Sequence, residues 1–313
     1  FDKDLILEGN EHDDDVPAVT GAVKTRIGDV WALGDHLLAC GDSTDPKSVA
    51  ALLDGEKAAM CWTDPPYNMN YEGGGSAQKK KRDKILNDKM SAGNFREFLE
   101  NVCVNILAHT EGGIYICMGE NEMPNLRSAF TALGGRWAQD IIWVKNNFSL
   151  SGDHYQHTFE PILYGFNKDT KNPYFVDRRD ISNVWEDLSE IKTEFDGKKT
   201  TITFHGFKIR IDGEVKGGEV VKKKQHMDIW RHNKPTISNL HPTTKPVSLV
   251  LEAIMNSSRE GDIVLDLFMG SGSTIIAAEK SGRICYGMEL EPHYVDVAVK
   301  RWEEYTKQKA KKI

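Results

Sequence analysis

The sequence predicts an α/β fold, a doubly wound parallel sheet with a smaller β-rich inserted region. Three observations predict it. From Gly28 onward, apolar runs of strand length alternate with stretches of helix length, the signature of strand–helix units. A glycine-rich turn, Asp266-Leu267-Phe268-Met269-Gly270-Ser271-Gly272-Ser273-Thr274, falls where one strand gives way to a helix. Residues 167–235 break the pattern with polar, alternating segments punctuated by glycine.

Taken in order, His36–Cys40 reads as a short buried strand, and Pro46 to Leu53 as a helix capped by Asp45 ahead of its first-turn proline. Ala58 to Thr63 is an apolar strand stopped by Pro65 and Pro66. A Gly- and Lys-rich loop covers about 71–91, followed by an amphipathic helix from Phe95 to His109, a strand from Ile114 to Met118 and a helix over 124–133. Asp140–Val144 is a further strand. Within 167–235, Thr200–Phe204 and Phe207–Ile211 alternate around Gly206 as a β-hairpin does. After His241 the α/β pattern resumes: helix Val247–Ser257, strand Ile263–Asp266, helix Thr274–Ser281, strand Ile284–Met288 and a last helix from Pro292.

Composition excludes several classes. In 313 residues, 39% hydrophobic and 28% charged, no apolar run approaches the roughly 18 residues of a membrane span. Five scattered cysteines, none spaced C-x-x-C, argue against a disulfide framework or a zinc site and for a reducing cytoplasm. The histidines show no metal-ligand spacing, so no metal is expected. The net charge of −7 is concentrated in residues 1–20, which carry −6, so the body is nearly neutral and compatible with a nucleic-acid partner. Residues 1–27 read as an acidic tail or linker, and a start at Phe1 rather than Met reads as a fragment of a longer protein.

Two stretches carry chemistry. In the glycine-rich turn, Gly270 and Gly272 let backbone approach a ligand without a Cβ in the way. The turn lacks G-x-G-x-x-G spacing and a P-loop lysine, which disfavours a pyrophosphate ligand. The next strand ends at Glu289, placed to accept from ribose hydroxyls, so a nucleoside cofactor is favoured over a bland turn. The second stretch is Thr63-Asp64-Pro65-Pro66-Tyr67-Asn68. Its prolines fix a rigid turn in which the Asp64 carboxylate and the Pro65 carbonyl are two acceptors for one planar amine, with Tyr67 as a stacking ring.

D-P-P-Y followed later by D-L-F-M-G-S-G-S resembles the S-adenosylmethionine-dependent methyltransferases of exocyclic amines in DNA bases, in the permuted β group. His241-Pro242-Thr243-Thr244-Lys245-Pro246, Ile141–Lys145 and Glu160–Gly165 are also similar to that family. The resemblance implies a Rossmann-like, circularly permuted methyltransferase sheet and adenine N6 methylation of double-stranded DNA with a flipped target base. It also implies a place among restriction-modification enzymes and is compatible with a homodimer. Cytosine N4 methylation, RNA amine methylation and an idle DNA-binding module are the competing readings. The catalytic residues implied are Asp64, Pro65, Pro66 and Tyr67. Those for the cofactor are Asp266, Phe268, Gly270, Gly272, Ser273 and Thr274 in the turn, with Glu289, Thr243 and Lys245. Lys245 is expected to pair with the methionine carboxylate or to support the turn.

A permuted sheet needs three consecutive cofactor strands. The first ends at Asp266, the second at Glu289, and the third must be His36–Cys40 running to Asp42, with the Asp64 strand as the fourth. Asp42 thereby becomes the expected partner of the cofactor's adenine amine. The catalytic domain is expected over 28–166 and 236–313, with 167–235 as the target-recognition region. Basic runs at Lys79, Lys80, Lys81 and Arg82, at Arg178 and Arg179, and at Lys222, Lys223 and Lys224 are candidates for DNA contact, each weighed against a solvated charge run. Lys307, Lys309, Lys311 and Lys312 read as a solvated helix end; Trp31, Trp62, Trp137 and Trp302 read as core.

Overall fold

The computed structural model describes residues 12–19, 21–69, 88–149, 157–171, 173–176 and 244–313, and the backbone of short strands at 184–185, 192–195, 199–204, 207–212 and 229–232. The strands are β1 (Val30–Leu33), β2 (His36–Cys40), β3 (Met60–Thr63), β4 (Ile114–Cys117), β5 (Gly135–Ser149), β6 (His157–Asn167), β7 (Val184–Trp185), β8 (Lys192–Phe195), β9 (Lys199–Phe204), β10 (Phe207–Asp212), β11 (Ile229–His232), β12 (Ile263–Asp266), β13 (Ile284–Glu289) and β14 (Lys311–Lys312). The helices are α1 (Pro46–Leu53), α2 (Ala92–His109), α3 (Met123–Ala132), α4 (Val247–Ser257), α5 (Ser273–Ser281) and α6 (Pro292–Thr306).

The main sheet runs β14-β1-β2-β13-β12-β3-β4-β6-β5-β11-β7. Its centre, β2-β13-β12-β3-β4, is parallel throughout. The expected permutation is therefore present: β12, β13 and β2 lie side by side in that order, and β3 flanks β12 on the other side. The period of two sets the layers. On β3, Met60 and Trp62 face α4, whereas Cys61 faces α2; on β4, Tyr115 and Cys117 share the first face and Ile114 and Ile116 the second. Trp62, Trp143, Trp302 and Tyr115 are at most 1% exposed, and burying a side chain of that kind stabilises by about 1.5–3 kcal/mol. The α1 cap forms as expected: Asp45 accepts from the amides of Lys47 and Ser48, with Pro46 in the first turn.

Several features add to the expected pattern or correct it. Glu160–Gly165 lies within β6, an antiparallel strand between β4 and β5 that the sequence pattern does not announce. Pro161 disguises it. Its pairing with β4 stops at Ile162, so the missing N–H falls where that ladder ends, while its carbonyl still accepts from Met118. Trp137 is 41% exposed, because a bulge between Trp137 and Gln139 turns it outward onto Arg127 and Asp140. The helix ends at Thr306, and Lys311–Lys312 form edge strand β14 against β1, Lys312 pairing with Asp29.

The described part of 12–27 is not a free acidic tail. Asp13 is 5% exposed and pairs with Lys280 at 2.5 Å. Asp14 accepts from the Val247 amide at 2.8 Å, capping α4 from outside the helix, and Thr25 donates to Asp296. Residues 167–235 also join the main sheet at their ends, since β11 runs parallel to β5 and β7 pairs with β11. Between those ends the hairpin appears as expected, β9 and β10 pairing from Phe204↔Phe207 to Lys199↔Asp212, with β8 added beside β9 in a separate three-stranded sheet.

Candidate active site

The site lies at the carboxyl ends of β2, β13, β12 and β3, where the loops of a parallel sheet gather. Asp266 closes β12 and is 3% exposed. It accepts from the Thr63 hydroxyl at 2.9 Å, the Phe268 amide at 3.0 Å and the Thr274 hydroxyl at 2.6 Å. Burial pushes its carboxyl up to about 6 against these donors. With its acceptors thus engaged, Asp266 fixes the turn and ties Thr63, the residue before Asp64, to the end of β12.

Gly270 (φ 52°) and Gly272 (φ 88°) both take left-handed backbone that side chains rarely adopt, and a Cβ on Gly272 would lie 3.0 Å from Ala298. Glu289 holds the turn from the neighbouring strand: it accepts from the Gly270 amide and the Glu291 amide, each at 2.8 Å. Burial raises its carboxyl to about 7, with the two amides pulling the other way. Arg301, which sequence reasoning missed, braces the turn from α6. It is 3% exposed, donates to the Ser271 carbonyl at 3.1 Å and the Asp13 carbonyl at 2.8 Å, and is lowered by burial to about 10. Asp42 stands exposed at the end of β2, accepting from the amide and hydroxyl of Thr44, and the Gly41 amide bonds the Glu289 carbonyl at 3.0 Å. Phe268 is partly buried, edge-on to Phe98.

At the end of β3 the chain turns through Asp64-Pro65-Pro66-Tyr67 and reverses at Asn68 (φ 57°), which accepts from the Met90 amide at 2.7 Å. The Tyr67 hydroxyl donates to Asp64 at 2.9 Å and reaches Glu160 at 3.1 Å. Its ring lies 3.3 Å from where a Cβ on Gly119 would stand. The Lys245 ammonium sits 2.5 Å from Asp64, 3.1 Å from the Tyr67 hydroxyl and 3.4 Å from Glu160, and Lys145 pairs with the other Glu160 oxygen. Burial works against charge on Lys245, but the two carboxylates outweigh it and hold it ionised. Asp64 is raised by burial and by Glu160 and lowered by Lys245.

Lys245 faces two ways. Its side chain, 8% exposed, is directed to the Asp64 carboxylate because a buried ammonium needs a buried anion. Its backbone carbonyl accepts from Ser273 at 2.8 Å and so supports the turn. Glu160 and Lys145 were visible only as parts of similar segments, and their pairing follows from the adjacency of β6 and β5. Thr243, Lys79–Arg82, Arg178, Arg179 and Lys222–Lys224 lie outside the described residues. Among the described residues no group of side chains is arranged to hold a metal ion, and no helix is long and apolar enough to cross a membrane.

The DNA methylase family (the N6/N4 methyltransferases) matches residues 58–300, which span both Asp64 and Glu289. The chain belongs to this family. Its relatives include the Type II methyltransferase M2.DpnII of Streptococcus pneumoniae, 26% identical over 255 residues, which are 79% of this chain and 83% of the relative. The DNA adenine methyltransferase YhdJ of Escherichia coli is 28% identical over 288 residues, 90% of this chain and 86% of that one. In fold, this DNA methylase is similar to the M1.HpyAVI–SAM complex (TM-score 0.50, 19% identity, 84% of this chain and 98% of that chain). It is also similar to the PvuII DNA methyltransferase described as cytosine-N4-specific (TM-score 0.55, 14% identity, 88% and 91%).

Proposed function

We propose that this DNA methylase transfers a methyl group from S-adenosylmethionine to the N6 amine of adenine at specific sites in double-stranded DNA. The observation that carries the reading is the Thr63–Asp266 hydrogen bond, which sets the Asp64 turn beside the glycine turn although 203 residues separate them. The names of M2.DpnII as a Type II methyltransferase and of YhdJ as a DNA adenine methyltransferase support it, as does an acid at Asp64. A role in restriction-modification follows the same relatives.

The cofactor cradle fits a nucleoside. Left-handed Gly270 and Gly272 leave room against the turn, and an ionised Glu289 keeps lone pairs beyond the two amides it accepts from. Asp42, one strand further, is placed for an adenine amine. Phe268, Ser273 and Thr274 line or support the turn, and Thr243 is assigned to the cofactor by its motif alone. When bound, S-adenosylmethionine supplies an electrophilic methyl group on sulfur. The protein's task is then largely positioning. A base inside a duplex is unreachable, so the target is flipped out at a cost of a few kcal/mol. Asp64 and the Pro65 carbonyl accept the amine hydrogens, Pro66 stiffens the turn, and Tyr67 packs against the base.

The basic runs Lys79–Arg82, Arg178–Arg179 and Lys222–Lys224 are assigned to DNA phosphates, and residues 167–235 to target recognition. We place the protein in the cytoplasm, where its DNA substrate and five unpaired thiols belong; a homodimer is tested by its mass in solution. Incubation with duplex DNA and cofactor, digestion to nucleosides and mass spectrometry tests the reading. N6-methyladenine is expected; N4-methylcytosine or no methylated base overturns it.

A further inference from the structure

We propose that Glu160 is a positioning residue that takes over Lys245 and Tyr67 from Asp64 when the target amine enters. The inference rests on the proposed role of Asp64 as the amine's acceptor. Both Asp64 oxygens already accept, one from the Lys245 ammonium at 2.5 Å and the other from the Tyr67 hydroxyl at 2.9 Å. Each oxygen keeps a further lone pair, but the incoming amine has to share it with a donor already in place, and a donor that gives way needs another acceptor, since a buried ammonium stripped of its carboxylate is strongly disfavoured.

Glu160 resolves the conflict geometrically. Its Oε2 lies 3.1 Å from the Tyr67 hydroxyl and 3.4 Å from the Lys245 ammonium. A small movement of both groups toward Glu160 therefore exchanges one carboxylate for the other without leaving either donor unpaired. The phenol has one hydrogen and two carboxylates within reach, so it can serve only one at a time. Lys145 pairs with Oε1 and keeps Glu160 oriented, leaving Oε2 turned to the catalytic side. Two carboxylates and two ammoniums make the cluster neutral, so the exchange moves no net charge through the pocket.

The titratable and charged groups facing Glu160 include Asp64 and Tyr67 from the turn after β3, Lys245 before α4, Lys145 on β5 and Cys117 at the end of β4. Glu160 pushes the Asp64 carboxyl up and Lys245 pulls it down. Removing the Glu160 charge therefore leaves Lys245 wholly to Asp64. Removing Lys145 makes Glu160 the stronger competitor and draws Lys245 away.

Single-turnover methylation of duplex DNA by the full chain at saturating cofactor, followed across pH, tests this. Glu160→Gln is expected to lower the rate by about tenfold, to move the acid limb of the profile to lower pH and to leave S-adenosylmethionine affinity by calorimetry unchanged. Lys145→Met is expected to move the same limb to higher pH. A merely structural role would lower the rate at every pH without moving the limb. Limbs that stay at the wild-type position in both variants, or cofactor affinity that falls in step with the rate, overturn the proposal. Asp64→Asn separates the two levels. If it methylates at the wild-type rate, the reading of Asp64 fails. If it is inactive while the other two variants keep the wild-type limb, only the role of Glu160 falls.

Discussion

The Thr63 hydroxyl donates to Asp266 at 2.9 Å, joining the last residue of β3 to the last residue of β12 beneath the surface. One bond thus couples the turn that presents Asp64 to the turn assigned to the cofactor. Thr63→Val keeps the volume and removes the donor, leaving a buried carboxylate short of a partner. We expect a loss of about 1–3 kcal/mol in stability, read by denaturant unfolding, together with weaker cofactor binding. A variant of wild-type stability would show that Thr274 and the Phe268 amide suffice to hold Asp266.

Asp64→Ala is expected to abolish methyl transfer while cofactor affinity stays within a few-fold of wild type. Lys245→Met tests the electrostatics of the same group. Burial raises the Asp64 carboxyl and Lys245 opposes that rise, so its removal lets Asp64 stay protonated to higher pH. A protonated Asp64 is a donor where the amine needs an acceptor. The acid limb of the rate profile should therefore shift upward in Lys245→Met, and a profile that only scales down would contradict the pairing as a functional one.

Much of this arrangement was legible in the sequence. The β12–α5 turn, the acid at the end of β13 and the third strand at His36–Cys40 follow from local pattern and from the number of strands a cofactor half-sheet needs. The partners of Lys245 were not legible, because a lysine's choice between a ligand and a carboxylate depends on which buried anion lies across the sheet. β6 was hidden by Pro161, which local propensity penalises and only the end of the β4 ladder excuses. Arg301 sits on α6 among charged neighbours, and nothing in its spacing distinguishes a brace of the glycine turn from a solvated arginine.

Glu289 and Asp266 set the stability of the fold and the binding of the cofactor against each other in pH. Burial lifts them to about 7 and about 6 from ordinary values of 4.5 and 3.8, so the folded protein holds these protons more tightly than the unfolded chain. Their contribution to stability is fully present below the unfolded values and is lost as pH rises through about 6 to 7. The ligand-free protein should thus lose stability across that window, and Glu289→Gln should flatten the loss. Cofactor binding should run the other way, strengthening as Glu289 ionises. Unfolding and calorimetry at about pH 5 and about pH 8 compare the two trends, and parallel trends would refute the assignment of Glu289.

Asp14 caps α4 from a distant part of the chain, accepting from Val247 two residues beyond Lys245. Asp14→Ala should cost about 1 kcal/mol, the usual worth of a lost cap, and should loosen the segment that carries Lys245. Methylation should fall with it. A variant that is less stable yet methylates at the full rate would show that the cap serves the fold alone.

The final prediction concerns site choice. Trp185 of β7 and Ile229 of β11 are paired residues at the edge of the main sheet, so the chain between them leaves and returns at one place. The excursion contains the three-stranded sheet β10-β9-β8, which is separate from the main sheet. Neither end needs to move when the excursion is exchanged, because β11 keeps its own ladder with β5 from Ile229↔Ile142 to His232↔Lys145. Replacing residues 186–228 by the equivalent stretch of a relative with another target should therefore change or abolish the methylated sequence while cofactor affinity is kept. Neutralising Lys222–Lys224 within it should weaken binding to all DNA sequences alike and flatten the dependence on salt, as loss of phosphate contacts does. Methylome sequencing reports the first and binding titrations at several salt concentrations the second. An exchanged chain that methylates the original sequence at the original rate would place recognition outside residues 186–228.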